Sequence, residues 1–243
     1  MIKALIFDFD GTIIDTETAW YNVFKDAYAQ YGVQLSLATY AKCLGTNLQT
    51  FNPYTYLVTH HHIQLDVEAF QTSIQQRHAQ WMETETLRPG ILALLQQAKE
   101  AGLKIGLASS SSRQWIDMYV DRLGIRHYFD CFCSADTVTN VKPDPELYLQ
   151  ALEQLGVEAD EVVAIEDSPN GAQAAVAAGL YTVVIPNEIT KQLPFHTKHH
   201  TVTALEHYTI HDLLACLAKT SPSLVEVFLV SLGRSRHIFC RNI

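Results

Sequence analysis

The sequence has few cysteines and no long hydrophobic run. Its 243 residues include five cysteines, an odd and scattered set that is not typical of a disulfide framework. Cys131 and Cys133 flank one residue in a short apolar run, and because no second such pair exists, buried thiols are favoured over a metal site. No apolar stretch reaches the length of a membrane span, and the N-terminus lacks a signal-peptide pattern. We therefore expect a cytoplasmic protein with no membrane contact.

Basic residues are also scarce. The chain has 17 lysines and arginines against 26 acidic residues, which gives a formal net charge of −9. Proteins that bind nucleic acid non-specifically show the opposite balance, so no nucleic-acid partner is expected. The hydrophobic fraction of 48% is ordinary for a globular protein, and a chain of this length can bury a core without disulfides. A monomer is the default expectation.

Short apolar runs alternate with helix-like segments along most of the chain. The runs cover residues 4–7, 105–108, 131–133, 162–165 and 182–185. Each is short, aliphatic and bounded by polar or turn residues, as in a buried parallel strand. The predicted helices between them begin near Pro89, Pro145 and Ser168 and end near Gly102, Gly156 and Gly179. This alternation predicts an α/β fold with a doubly wound, Rossmann-like parallel sheet.

Residues 16–87 interrupt the alternation, because they contain no convincing strand. Apolar side chains recur there at helical spacing, beginning with Trp20, Val23, Phe24, Ala27, Tyr28 and Tyr31. The segment is either a large helical crossover or a separate cap, and its size and its own apolar faces favour the cap. We therefore predict an α/β core of residues 1–15 and 88–219, a helical-bundle cap of residues 16–87, and a C-terminal extension of unknown role at 220–243.

Polar side chains follow four of the predicted strands. DFDGT stands at residues 8–12, SSSS at 109–112, KPDP at 142–145 and ED at 166–167. The carboxyl ends of parallel strands share one crevice, in which α/β proteins bind ligands. Carboxylates about 4 Å apart in such a crevice repel each other by roughly 1–4 kcal/mol, and a divalent cation would turn this cost into binding. Because hard oxygen ligands suit Mg²⁺, the sequence predicts a magnesium site formed by Asp8, Asp10, Glu166 and Asp167.

The same segments carry groups suited to phosphate chemistry. Lys142 offers a positive charge and Ser109 a hydroxyl group to phosphate oxygens. A carboxylate nucleophile at Asp8 would form an aspartyl phosphate. Asp10, two residues on, would protonate the leaving oxygen and then activate water.

These four motifs, in this order, resemble those of the haloacid dehalogenase superfamily, in the branch of phosphoglycolate phosphatases and β-phosphoglucomutases with a helical cap after the first motif. The resemblance covers about residues 1–219. It implies that Asp8 is the nucleophile and Asp10 the acid and base. It also implies Mg²⁺ bound by the Asp8 side chain, the Asp10 carbonyl group and Asp167, with Glu166 close by. Ser109 and Lys142 would hold the phosphoryl group.

The substrate is the more open part of the prediction. Dehalogenases of this superfamily lack an acid two residues after the nucleophile, so Asp10 indicates a small phosphate ester. The pattern of β-phosphoglucomutases expects a histidine where Trp20 stands and basic residues around Gly45, which are absent here. Hydrolysis is therefore favoured over a phosphomutase reaction, although Lys42 could take the place of the missing basic residues. A non-catalytic binding module is the third alternative. Predicted substrate contacts are Gly11, Thr16, Trp20, Asn47, Ser110 and Asn170.

Overall fold

A six-stranded parallel sheet forms the centre of the computed structural model, which describes residues 1–43, 51–197 and 200–220. The strands are β1 (Ala4–Phe7), β2 (Lys104–Ala108), β3 (Cys131–Cys133), β4 (Val162–Glu166), β5 (Tyr181–Val184) and β6 (His200–Thr201). Their order across the sheet is β3-β2-β1-β4-β5-β6, and every neighbouring pair is parallel. The chain winds outward from β1 in both directions, which confirms the predicted doubly wound fold.

The α-helices lie in one insertion after β1, between the later strands and after β6. They are α1 (Thr16–Ala29), α2 (Leu37–Tyr40), α3 (Tyr56–Thr59), α4 (Val67–Met82), α5 (Ile91–Glu100), α6 (Arg113–Arg122), α7 (Glu146–Leu155), α8 (Pro169–Ala177) and α9 (Ile210–Thr220). None of these described helices is both long enough and apolar enough to cross a membrane.

Helices cover both faces of the central strand β1. Leu5 and Phe7 pack into a cluster with residues of α5, α6 and α9, whereas Ala4 and Ile6 pack against α7 and α8. Because successive side chains of a strand point to opposite faces, a strand covered on both sides must be apolar throughout. All four residues of β1 are buried, which explains the uninterrupted apolar run in the sequence.

Helices α1 to α4 form the cap between β1 and β2. This region has its own apolar cluster, in which Val23, Phe24 and Tyr28 of α1 meet Phe70 and Ile74 of α4. These α1 residues lie at steps of one and four, which places them on one face of the helix. The predicted helical cap after the first strand is therefore confirmed, while its exact bounds at 16 and 87 stay a prediction.

Two details differ from the sequence-based expectations. Helix α5 begins at Ile91 after a left-handed Gly90, so Pro89 precedes the helix rather than opening it. Strand β6 was not predicted, since two residues are too few to show a period. The predicted extension beyond residue 220 and the predicted contact Asn47 lie outside the described residues.

Candidate active site

The carboxyl ends of the adjacent strands β1 and β4 bring three buried carboxyl groups together. Phe7 is paired with Ile165 in the register of these strands, so the residues that follow them, Asp8 and Glu166, lie side by side. One oxygen atom from each of Asp8, Glu166 and Asp167 lies within 4.8 Å of the others. We call these three residues the acidic cluster.

Lys142 extends into the acidic cluster from the loop before α7. Its Nζ atom donates to Asp8 Oδ1 at 2.5 Å and to Glu166 Oε1 at 2.6 Å. The side chain of Lys142 is only 6% exposed, so the two ion pairs are buried. Tyr148 on α7 donates a further hydrogen bond to Glu166 Oε1 at 2.6 Å.

Burial shapes the electrostatics of this group. It raises the pKa of Asp8 to about 7, with the charge of Glu166 adding to the rise and Lys142 opposing it. Burial also raises the pKa of Asp167 well above its ordinary value, helped by the charges of Asp8 and Glu166. For Lys142, burial would lower the pKa, but the two neighbouring carboxylates outweigh it and the pKa is raised. If all three carboxyl groups were ionised, the cluster would hold more negative charge than the one ammonium group of Lys142 can balance.

This donor set fits a divalent cation. Three carboxyl groups within ligand reach of one another are hard oxygen donors of the type that Mg²⁺ prefers. Asn187, in the loop after β5, donates to Asp167 Oδ2 at 2.8 Å and so orients one oxygen of the cluster. A bound cation would favour the ionised carboxylates that burial disfavours. The acidic cluster is therefore a suitable metal site.

Asp10 lies beside the acidic cluster, on the side of β2. Its Oδ2 atom accepts hydrogen bonds from Ser111 Oγ at 2.6 Å and from Ser109 Oγ at 3.3 Å. Its Oδ1 atom accepts one from Trp115 Nε1 at 2.9 Å. The structure thus brings together the predicted residues Asp8, Asp10, Ser109, Lys142, Glu166 and Asp167 in one crevice, and their individual roles stay predictions.

The other predicted contacts lie around this crevice. Gly11 adopts a left-handed φ of 82°, and a Cβ atom there would lie 2.3 Å from Asp167 Oδ2. Thr16 is buried at the start of α1, and Trp20 one turn further stacks on His78 of α4 with ring centroids 3.6 Å apart. Of the remaining two, Ser110 is exposed beyond β2 and Asn170 is half-buried in the first turn of α8.

Several residues that shape the crevice were missed by the sequence analysis. They are Ser111, Trp115, Tyr148, Asn187 and Arg88. The guanidinium group of Arg88 donates to the carbonyl oxygens of Gly11, Ile185 and Pro186. Asn187 could have been found, because it is a polar residue just past the fifth predicted strand. Trp115 and Tyr148 could not, since an aromatic residue within a helix carries no local sign of its partner.

The chain is similar to known proteins of one family. A model of the haloacid dehalogenase-like hydrolase family matches residues 5–185. The chain is 42% identical over 214 residues to YhcW of Bacillus subtilis, a protein named provisionally as a phosphatase, and the match covers 88% of this chain and 97% of YhcW. It is 31% identical over 215 residues to hexitol phosphatase B of Escherichia coli K12, with the same shares covered. The fold is also similar to a solved structure of a CbbY mutant from Rhodobacter sphaeroides, which was determined in complex with xylulose 1,5-bisphosphate. The TM-score is 0.68 and the identity 28%, and the match covers 88% of this chain and 99% of the CbbY chain.

Proposed function

The chain belongs to the haloacid dehalogenase-like hydrolase family, and we propose that it is a Mg²⁺-dependent phosphatase of a small phosphorylated sugar or polyol. The observation that carries the proposal is the position of Asp8, whose carboxyl group accepts a hydrogen bond from Lys142 and lies within ligand reach of the other members of the acidic cluster. One crevice therefore contains the nucleophile Asp8, the ammonium group of Lys142 for the phosphate oxygens, and a metal site. The enzyme class predicted from the sequence, a hydrolase, is confirmed by the family.

The reaction proceeds in two steps. Asp8 attacks the phosphorus atom, the bond from phosphorus to the leaving oxygen breaks, and Asp10 transfers its proton to that oxygen. Asp10 then takes a proton from water, the water oxygen attacks the aspartyl phosphate, and inorganic phosphate leaves Asp8. Lys142 and Ser109 hold the phosphoryl oxygens during both steps. Asp8, Asp167 and the carbonyl group of Asp10, with Glu166 nearby, would hold Mg²⁺, which would supply positive charge to the transferred group.

The substrate class rests on the relatives and on the cap. One relative is named as a hexitol phosphatase, and the CbbY structure contains a sugar bisphosphate. Helix α1 of this chain presents Glu17 to the crevice, where burial and the charges of Asp10 and Asp15 raise its pKa to about 8. A carboxyl group there offers no positive charge to a second phosphate and can form hydrogen bonds with the hydroxyl groups of a neutral leaving group. This supports hydrolysis over a phosphomutase reaction.

The test is phosphate release from a panel of hexitol, hexose and pentose phosphates, with Mg²⁺ and with EDTA. We expect release that requires Mg²⁺ and is abolished in Asp8→Asn but retained in Asp160→Asn, an exposed aspartate before β4. If no ester releases phosphate while β-glucose 1-phosphate is isomerised with a bisphosphate primer, the protein is a mutase. Inactivity in both assays would leave a binding module and contradict the proposal.

A further inference from the structure

Asp10 is held from one side by an indole group. Trp115 Nε1 donates to Asp10 Oδ1 at 2.9 Å, while Asp10 Oδ2 faces the hydroxyl groups of Ser109 and Ser111. We propose that Trp115 is a positioning residue that fixes the orientation of the Asp10 carboxyl group and the oxygen from which its proton leaves. This inference rests on the role proposed above for Asp10 as the acid and base.

The hydrogen-bond partners of Asp10 differ in what they can donate and accept. An indole N–H group only donates, so the oxygen that receives it, Oδ1, must act as an acceptor in every protonation state of Asp10. The hydroxyl groups of Ser109 and Ser111 can donate or accept. When Asp10 carries a proton, that proton therefore lies on Oδ2, the oxygen next to Ser109. Ser109 is the group predicted to hold the phosphoryl oxygens, so the proton is kept on the side of the reacting bond.

The position of Trp115 is itself well defined. It is the third residue of α6, and its backbone N–H group donates to Ser112, which caps the helix. Its ring packs on Tyr119 of the core, with centroids 4.6 Å apart, and lies nearly parallel to His78 of the cap, with centroids 6.0 Å apart. Since His78 also stacks on Trp20, aromatic rings link both long cap helices to the hydrogen bond on Asp10.

A merely structural role for Trp115 makes a different prediction. If only the ring matters, its loss would slow every substrate equally, because the whole crevice would shift. If the N–H group positions Asp10, its removal would slow mainly those substrates whose leaving group needs a proton. An alkyl phosphate needs one because its alkoxide leaves poorly, whereas p-nitrophenolate leaves without help.

The experiment compares kcat/KM for the best alkyl phosphate of the panel with kcat/KM for p-nitrophenyl phosphate. The variants are Trp115→Phe, which keeps an aromatic ring, and Trp115 replaced by benzothienylalanine, which keeps the shape of the indole and lacks the N–H group. We expect about a tenfold fall for the alkyl ester and less than about a twofold change for p-nitrophenyl phosphate. Trp81→Phe is the matched control, since Trp81 is 42% exposed on α4.

The outcomes separate this inference from the proposed function. Asp10→Asn calibrates the assay and should show the same selectivity with a larger fall. If Asp10→Asn shows this selectivity, the benzothienylalanine variant tests Trp115 alone. The role of Trp115 is overturned if kcat/KM in that variant falls equally for both esters, does not fall, or rises. A wild-type enzyme that hydrolyses neither ester would overturn the proposed function and this inference together.

Discussion

Asn187 donates a hydrogen bond to Asp167 Oδ2 at 2.8 Å from the loop that follows β5. The Oδ1 atom of Asn187 accepts from the backbone N–H groups of Ile189 and Thr190, so the amide group is fixed by its own loop. All of these contacts are buried. Asn187 therefore holds one carboxyl group of the acidic cluster in a set orientation without belonging to the cluster itself.

Replacing Asn187 by alanine should weaken Mg²⁺ binding. Loss of a partner that orients a metal ligand typically costs about 10- to 100-fold in metal affinity. The measurement is the midpoint of a Mg²⁺ titration of phosphate release. Thr190→Val is the control, because Thr190 Oγ1 accepts a hydrogen bond from the Asn187 backbone N–H group within the same loop. Equal midpoints in the two variants would show that the loop, and not the contact with Asp167, matters.

Removing the hydroxyl group of Tyr148 should destabilise the protein. Tyr148 is fully buried and donates to Glu166, and hydrogen bonds to charged groups contribute about 2 kcal/mol. We expect the free energy of unfolding of Tyr148→Phe in urea to fall by about that amount, since the ring and its packing are unchanged. Tyr181→Phe, at a half-buried position of β5, should change it much less. A similar fall in both variants would contradict this explanation.

Gly11→Ala should lower activity strongly through a steric clash. Gly11 and Gly32 both have a left-handed φ, which costs an alanine about 1 kcal/mol at either position. Only at Gly11 would the new Cβ atom meet Asp167 Oδ2, at 2.3 Å, whereas the Cβ atom at Gly32 would meet nothing within 4 Å. We expect phosphate release to fall about 100-fold or more in Gly11→Ala, because the acidic cluster must shift. Activity in Gly32→Ala should stay near that of the wild type.

His78 should make the protein sensitive to acid. Burial lowers the pKa of His78 from 6.5 to about 4, although a hydrogen bond with the Thr16 backbone opposes the shift. Between these two values the folded protein binds fewer protons than the unfolded chain, so the free energy of unfolding falls as the pH falls. The titration of His78 can lower the free energy of unfolding by at most about 3 kcal/mol.

The same measurement tests the assignment to His78. Stability curves recorded from pH 7 to pH 4 should be less steep in His78→Gln, which cannot titrate. Those of His207→Gln, at an exposed position after β6, should run parallel to those of the wild type. Identical slopes in the wild type and in His78→Gln would refute the prediction.

The sequence predicted those parts of the site that lie next to their own strand. Asp8, Ser109 and Glu166 each follow an apolar run directly, and parallel strands must end at one edge of the sheet. The strand and its polar end are contiguous, so the spacing of residues along the chain is enough to identify both. The cap was equally visible, because its helices carry their own apolar face.

The tertiary structure decided which helix and loop residues support these groups. Trp115, Tyr148 and Asn187 reach the site from helices or loops whose orientation depends on packing over the whole sheet. The stacking of His78 on Trp20 likewise depends on how α4 lies against α1. A sequence pattern records which side of an element is apolar, but it does not record which other element that side meets. Local chemistry was therefore determined by the sequence, and the contacts that orient it only by the fold.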